Sequence, residues 1–108
     1  MSLTTTTDAS FAADVLASPV PTLVDFTAVW CPPCQELEPV LEQIAVEQAA
    51  RLRVVSIDVD DNPVTATLYE VQKMPTLALF VGGKIVAQVV GSQAEPAIMR
   101  EFEPHLGG

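Results

Sequence analysis

The sequence predicts an α/β sandwich in which helices flank a mixed central sheet. Short apolar runs that are typical of buried strands alternate with segments whose apolar residues recur at helical spacing. Gly82 and Gly83 separate the last two strand-like runs and indicate a hairpin turn. Alternating helices and strands followed by a closing hairpin predict three layers, with four to five strands and about four helices.

The length and composition indicate one globular domain over residues 1–108. A chain of 108 residues can bury a single core, and a content of 49% hydrophobic and 18% charged residues excludes a disordered protein. The 5 basic and 14 acidic residues give a net charge of −9, which disfavours binding to nucleic acid or to an anionic membrane. We expect a monomer whose acidity serves solubility.

Nothing in the sequence is typical of membrane insertion or secretion. No run of 18 apolar residues is present, and residues 1–10, MSLTTTTDAS, lack the basic and apolar regions of a signal peptide. We therefore expect a cytoplasmic protein without a membrane partner. Residues 1–7 have a second interpretation, as a partly disordered segment or one derived from an expression vector.

The first elements are short. Thr4–Thr7 predicts an edge strand, and the segment from Asp8 to Ser10 has the composition of a helix cap. One short helix that ends before Pro19 is then indicated by three apolar residues at helical spacing: Phe11, Val15 and Leu16. The apolar run from Thr22 to Phe26, with one acid inside it, predicts a strand buried on both faces.

A long helix and a second buried strand follow. The helix runs to about Ala50 and its inner face is predicted to consist of Leu37, Val40, Leu41, Ile44 and Val46. Leu52 to Val59 predicts the next strand. The segment Asp60-Asp61-Asn62-Pro63 then offers a cap and a first-turn proline for another helix, with an inner face made of Val64, Leu68 and Val71.

The remaining elements close the sheet. Thr76 to Val81 predicts a third strand and Lys84 to Val90 its antiparallel partner across the glycine turn. The final segment, from Ala94 to Leu106, predicts a helix with three inner residues: Ile98, Met99 and Phe102.

The two cysteines of the chain, Cys31 and Cys34, are separated only by Pro32 and Pro33. A structural zinc site needs four ligands, and His105 is the only histidine that could join them, so no metal site is expected. A static disulfide closing so small a loop stabilises little, and a reducing compartment disfavours it. A reversible redox dithiol is the interpretation that these residues favour.

The position of the pair supports redox chemistry. The strand ends just before Trp30, so the long helix must begin near Cys31, at the positive end of the helix dipole. Unpaired backbone N–H groups there favour a thiolate. Both prolines are tolerated in the first turn and fix φ, which holds the sulfurs ready to form a disulfide. We expect Cys31 to be accessible and Cys34, one turn later, to be the more buried.

Several ordered motifs together resemble the thioredoxin family. They extend over nearly the whole chain and comprise VDFTAVWCPPC at 24–34, Pro39 inside the helix, DVDDNP at 58–63, Met74-Pro75-Thr76, the Gly82-Gly83 turn and Gly91. The resemblance implies the thioredoxin fold. It also implies protein-disulfide reductase activity by thiol–disulfide exchange: Cys31 attacks a target disulfide, and Cys34 resolves the mixed disulfide.

The resemblance assigns roles to further residues. Asp25 would relay a proton to or from Cys34, and burial in an apolar strand should raise its pKa; a salt-bridged or capping aspartate is the alternative. Pro75 would be a cis-proline facing the sulfurs, with the Met74 backbone pairing with a bound peptide as an added strand. The remaining substrate-binding residues would be Trp30, Pro32, Pro33, Thr76 and Gly91. A simple packing role for Trp30, or a strand-ending role for Gly91, fits these two residues equally well.

The resemblance also implies partners. No cofactor is expected in the protein itself, since electrons would come from NADPH through a separate flavin-containing thioredoxin reductase and pass to disulfide-bearing proteins. Two alternatives remain: a thioredoxin-like dithiol protein dedicated to one pathway, and a redox-silent module with this fold that binds a partner.

The sequence departs from the usual family pattern at several positions. Pro32 replaces the glycine of Cys-Gly-Pro-Cys, Gln35 a common basic residue, Ser56 a lysine near the buried acid, and Thr27 a frequent tryptophan. Because Pro32 removes a backbone donor and a flexible dihedral beside the attacking sulfur, we expect a reduction potential different from that of typical members. Equilibrating the protein and its Pro32→Gly variant against glutathione measures the difference, and equal potentials would refute it.

Overall fold

A computed structural model describes residues 3–107, and its elements follow the predicted order. The strands are β1 (Thr4–Thr5), β2 (Thr22–Thr27), β3 (Arg53–Asp58), β4 (Thr76–Val81) and β5 (Lys84–Val90). The helices are α1 (Pro32–Glu47), α2 (Pro63–Leu68) and α3 (Glu95–Phe102), with a π-helical turn at Ala12–Leu16 and a 3-10 turn at Glu103–His105. The α/β fold with a mixed sheet is confirmed, and so is the edge strand, although it contains only Thr4 and Thr5. Met1, Ser2 and Gly108 lie outside the described residues, so the expectation of a disordered or vector-derived start stays a prediction for the first two.

The sheet has the strand order β1-β3-β2-β4-β5. β3 pairs in parallel with β1 and β2, whereas β4 pairs antiparallel with β2 and β5. β2 is therefore central, and its residues 22–26 have a neighbour on both sides. Asp25, for example, lies opposite Ser56 of β3 and Leu77 of β4.

Alternation along β2 divides its side chains between two cores. Val24 and Phe26 belong to the core under the π-helical turn and α2, which also contains Phe11 and Phe80. Leu23 belongs to the opposite core, which α1 and α3 cover. Because Asp25 lies two residues after Leu23, its carboxyl group is directed to the α1 face. The sheet thereby places the only acid of the strand beneath the long helix.

The predicted inner face of α1 is correct except at its last member. Leu37, Leu41 and Ile44 are fully buried and Val40 is half-buried, but Val46 is 62% exposed. The prediction for Val46 was therefore wrong. Two residues after Ile44, Val46 is rotated by about 200° around the helix, away from the sheet.

The predicted inner face of α2 was wrong for two of three residues. Val64 and Leu68 are 67% and 68% exposed, whereas Thr65 and Ala66 are buried and Val71 contacts the core beyond the helix. Tyr69 decides the rotation of α2, because its ring packs edge-on against Phe80 with 5.2 Å between centroids. Leu68, one residue earlier, must then face outward.

Asp8 was predicted to cap the first helix, and the structure contradicts this. Its carboxylate accepts hydrogen bonds from the backbone N–H groups of Val64 and Thr65, at 3.1 and 2.8 Å, and from the Thr65 hydroxyl at 2.7 Å. Asp8 therefore caps α2, a helix more than fifty residues away. Asn62 provides no side-chain cap, and its Oδ1 instead accepts the backbone N–H of Asp8 at 2.9 Å.

Truncating the buried side of α1 should be costly. We expect Leu41→Ala to lower the free energy of unfolding by about 3 kcal/mol, because the side chain is fully buried and leaves a cavity. Val46→Ala, on the exposed side of the same helix, should change it by less than about 0.5 kcal/mol. Urea denaturation at constant m-value measures both. Equal losses in the two variants would contradict the burial pattern.

Candidate active site

Cys31 is the N-cap residue of α1, as the sequence predicts. It has an extended backbone, and Pro32 and Pro33 form the first turn of the helix. The backbone N–H of Cys34 points back to Cys31 Sγ at a distance of 3.2 Å. A negative charge on this sulfur would therefore be stabilised by one N–H donor and by the positive end of the helix dipole.

Cys31 and Cys34 form a disulfide across one turn of α1, with their Cα atoms 5.2 Å apart. The side chains are 3% and 2% exposed, so the expectation that Cys31 is accessible and Cys34 clearly deeper is wrong for the disulfide form. Met74 and Val59 pack against the cluster that contains the pair, and the Met74 carbonyl oxygen lies 3.7 Å from Cys31 Sγ. Trp30 and Pro32, on either side of Cys31, are exposed, so the sulfur lies directly beneath the surface.

The loop that covers the disulfide contains the predicted cis-proline. The Met74–Pro75 peptide bond is cis, which confirms that geometry. Thr76 begins β4 immediately afterwards, and its hydroxyl donates to the Lys73 carbonyl. Gly91 closes the same region from β5, since its N–H donates to the Pro75 carbonyl at 2.8 Å.

Gly91 has a φ of +91°, which L side chains rarely adopt. A Cβ built on it would meet no heavy atom within 4 Å among its surroundings. The backbone conformation after β5 therefore explains the glycine, which agrees with the strand-ending interpretation. Open space beside Gly91 also leaves room next to the loop.

Trp30 is 61% exposed and has an anchored ring. Its Nε1–H donates to Oδ2 of Asp60 at 2.6 Å, across the loop that precedes α2. Asp58 shapes that loop by accepting the N–H groups of Asp60 and Asp61 at 2.8 and 3.2 Å. With exposed Val29 beside it, Trp30 presents apolar surface next to the sulfurs, so a purely internal packing role is wrong.

Asp25 is 3% exposed, and its Oδ1 has no hydrogen-bond partner among residues 3–107. Burial, and secondarily the negative charge of Glu38, raises its pKa from 3.8 to about 7. The predicted rise and its main cause are therefore confirmed, and the salt-bridged or capping alternative finds no support in the described contacts. An acid that gains and loses its proton near neutral pH suits general acid–base work.

Sequence reasoning missed two residues at this site. Asp60 fixes the Trp30 ring, and the sequence contains no local signal for a contact across 30 residues. Glu38 lines a cavity together with Asp25. Its position could have been found from helical spacing, because Glu38 lies one turn after Cys34 on the same side of α1.

Other kinds of site receive no support from the described residues. Within residues 3–107 there is no group of three or more His, Cys, Asp or Glu side chains that could hold a metal ion. None of the helices in that range is both long and apolar enough to cross a membrane.

Comparisons with known proteins agree with the geometry. The thioredoxin family profile matches residues 2–103. Thioredoxin of Mycobacterium tuberculosis (strain ATCC 25618 / H37Rv) is 53% identical over 96 residues, which cover 89% of this chain and 83% of that protein. Thioredoxin 1 of Nostoc sp. is 41% identical over 100 residues, covering 93% and 94%. A bifunctional thioredoxin reductase/thioredoxin of Mycobacterium leprae is 50% identical over 96 residues, which cover 89% of this chain but 21% of that protein.

The family assignment rests on these matches together with a redox-active cysteine pair at the start of α1. Members of the family exchange electrons with disulfide-bearing proteins and are themselves reduced by thioredoxin reductase. The chain therefore belongs to the thioredoxin family and is a thiol–disulfide oxidoreductase.

Proposed function

We propose that this protein is a general protein-disulfide reductase of the cytoplasm, recharged by thioredoxin reductase with NADPH as the electron source. The observation that carries the proposal is the Cys31–Cys34 disulfide at the α1 N-terminus, next to an exposed apolar rim that includes Trp30. The Mycobacterium leprae relative, whose name joins a reductase and a thioredoxin in one chain, supports the choice of reductant. The protein acts as one monomeric domain and binds no cofactor itself.

The catalytic cycle that we propose uses three side chains: Cys31, Cys34 and Asp25. After reduction, the Cys31 thiolate, stabilised at the helix N-terminus, attacks a target disulfide and forms a mixed disulfide. Asp25 takes the proton of Cys34, which then attacks Cys31 Sγ. The Cys31–Cys34 bond forms, the bond to the target breaks, and the target leaves as a thiolate.

The loop before β4 forms the binding surface for the target chain. Met74 directs its carbonyl oxygen at Cys31 Sγ, so an extended peptide joined to that sulfur runs beside the Met74 backbone and can pair with it as an added strand. Pro75 shapes this edge in its cis form. The surrounding contacts come from Trp30, Pro32, Pro33, Thr76 and Gly91.

Reduction of insulin disulfides with NADPH and thioredoxin reductase tests the function. We expect steady turnover by the wild-type protein and loss of turnover by at least about a thousandfold in Cys31→Ser, because serine cannot form the mixed disulfide. Precipitation of the insulin B chain and NADPH oxidation are followed together.

The same assay separates the two alternatives. Activity with dithiothreitol but none with the reductase would indicate a dithiol protein dedicated to one pathway. If both reductants fail with insulin, and if a partner complex survives Cys31→Ser, the protein is a redox-silent binding module.

A further inference from the structure

A cavity with polar and apolar walls lies beneath α1, on the side of the sheet to which Asp25 points. It has a volume of about 200 Å³ and is lined by Leu3, Thr5, Asp25, Thr27, Glu38 and Ser56. Hydroxyl groups from three strands and carboxyl groups from β2 and α1 therefore share one space. The volume is large enough to hold water, and the walls are polar enough to bind it.

Asp25 has an unusual environment in this cavity. A buried carboxylate in an apolar sheet is normally compensated by a cation or by hydrogen bonds. Here its Oδ1 has no partner among the described residues, and its strand neighbours Ser56 and Leu77 carry no charge. The protonated carboxyl group is the form that such surroundings favour.

Each element packed around Asp25 contributes side chains to its surroundings, and most of these side chains are uncharged. β3 and β4 contribute Ser56 and Leu77, and β1 with the residue before it contributes Thr5 and Leu3. α1 contributes Glu38, the one charged side chain besides Asp25 among the cavity residues that the structure describes. Glu38 therefore repels the negative form of Asp25, at a position where a cation would have stabilised it.

Helix α1 contains both Glu38 and the redox pair. Cys34 and Glu38 are four residues apart on α1 and lie on the same side of it, one above the other. Cys34 is buried, whereas Glu38 is exposed at the cavity wall. The Cys34 thiol and the surface acid Glu38 thus lie one turn apart on α1, and the buried acid of β2 shares the cavity with Glu38.

We propose that Glu38 is a positioning residue for thiol–disulfide exchange, whose negative charge across the shared cavity makes Asp25 a stronger base for the Cys34 proton. This rests on the proposed role of Asp25. In the resolving step the S–H bond of Cys34 breaks, its proton moves to Asp25, and the sulfur electron pair forms the bond to Cys31. As a stronger base, Asp25 holds the proton near neutral pH after the disulfide has formed. When the disulfide is reduced, that proton is available for the Cys34 thiolate.

Glu38→Gln tests the proposal because it removes the charge and keeps the shape. The Asp25 carboxyl group is titrated by ¹³C NMR in the reduced protein, and the resolving step is timed by single-turnover kinetics across the same pH range. We expect the Asp25 midpoint and the kinetic pH profile both to move to lower pH by roughly half a unit or more. Raising the salt concentration should shrink the difference, since Glu38 is exposed.

Glu36→Gln is the matched control. Glu36 is an exposed acid on the same helix, absent from the cavity wall, and its loss changes the net charge equally. In Glu36→Gln the titration midpoint of Asp25 should equal that of the wild type. In Glu38→Asp the Asp25 midpoint should return most of the way from its value in Glu38→Gln to the wild-type value. An unchanged midpoint in Glu38→Gln, or equal shifts in both glutamine variants, would overturn the proposal.

An Asp25→Asn background separates this proposal from the one on which it rests. If Glu38 acts through Asp25, adding Glu38→Gln to Asp25→Asn should leave the kinetic pH profile where Asp25→Asn alone puts it. A further shift in the double variant would show that Glu38 acts by another route. If Asp25→Asn itself leaves the profile of the wild type unchanged, the proton-accepting role of Asp25 fails, and the role of Glu38 fails with it, even if the NMR midpoint still moves in Glu38→Gln.

Discussion

Replacing Cys34 by serine is expected to stop multiple turnover and to trap the protein on its target. Disulfide reduction should fall by at least about a thousandfold, because a serine hydroxyl cannot displace the target sulfur from Cys31. Cys31 keeps its place at the N-cap of α1, where the N–H of residue 34 still points to its sulfur. Attack on the target therefore continues, and a covalent mixed disulfide accumulates.

Non-reducing electrophoresis and mass spectrometry measure the trapped complex, while insulin precipitation measures turnover. Cys31→Ser is the control, since it removes the attacking sulfur, leaves only the buried Cys34 and should trap no target. Turnover by Cys34→Ser within tenfold of the wild type would show that resolution does not depend on this residue. Trapping by Cys31→Ser instead would reverse the two assignments.

Replacing Asp25 by asparagine is expected to stabilise the disulfide form of the protein above neutral pH. The folded-state pKa of Asp25 is raised from 3.8 to about 7, first by burial and then by Glu38. Between these two pH values the folded protein holds a proton that the unfolded chain has released. The stability that Asp25 contributes is therefore complete below pH 3.8 and is lost as the pH rises through about 7.

Asparagine carries no charge to bury, so the advantage of the variant should grow with pH. We expect almost no difference near pH 4 and a gain of up to about 4 kcal/mol in the free energy of unfolding above pH 8. Urea denaturation from pH 4 to pH 9 measures it. Asp61→Asn, which removes an acid from the surface instead of the core, is the control. A pH-independent effect of Asp25→Asn would mean that Asp25 ionises normally in the fold.

The two cysteines show that the local sequence can predict where a reactive group lies in the fold. Their spacing, the prolines and the preceding apolar strand predict a sulfur at a helix N-terminus, and Cys31 is the N-cap of α1. These features act within about ten residues, so the sequence contains all of them. The burial of Cys31 was not predictable in this way, because Met74 covers it from more than forty residues away.

The errors in α2 have a related cause. The sequence does not show which way an apolar residue faces when both sides of a short helix carry apolar residues. In α2, Val64 and Leu68 lie on the exposed side and Ala66 on the buried side. The rotation of α2 is set by the Tyr69 ring against Phe80 and by the cap that Asp8 provides. Both contacts come from distant parts of the chain.

The sequence by itself determined the order and type of the main elements, the dithiol, the raised pKa of the buried acid and the family. Each depends on residue type, on spacing within one element, or on motifs kept in order along the chain. Only the tertiary structure decided which apolar residues of α2 face outward, how the Met74 loop covers the disulfide, and that Glu38 shares a cavity with Asp25. These features arise where separate elements meet, and their geometry depends on packing between residues that are far apart in the sequence.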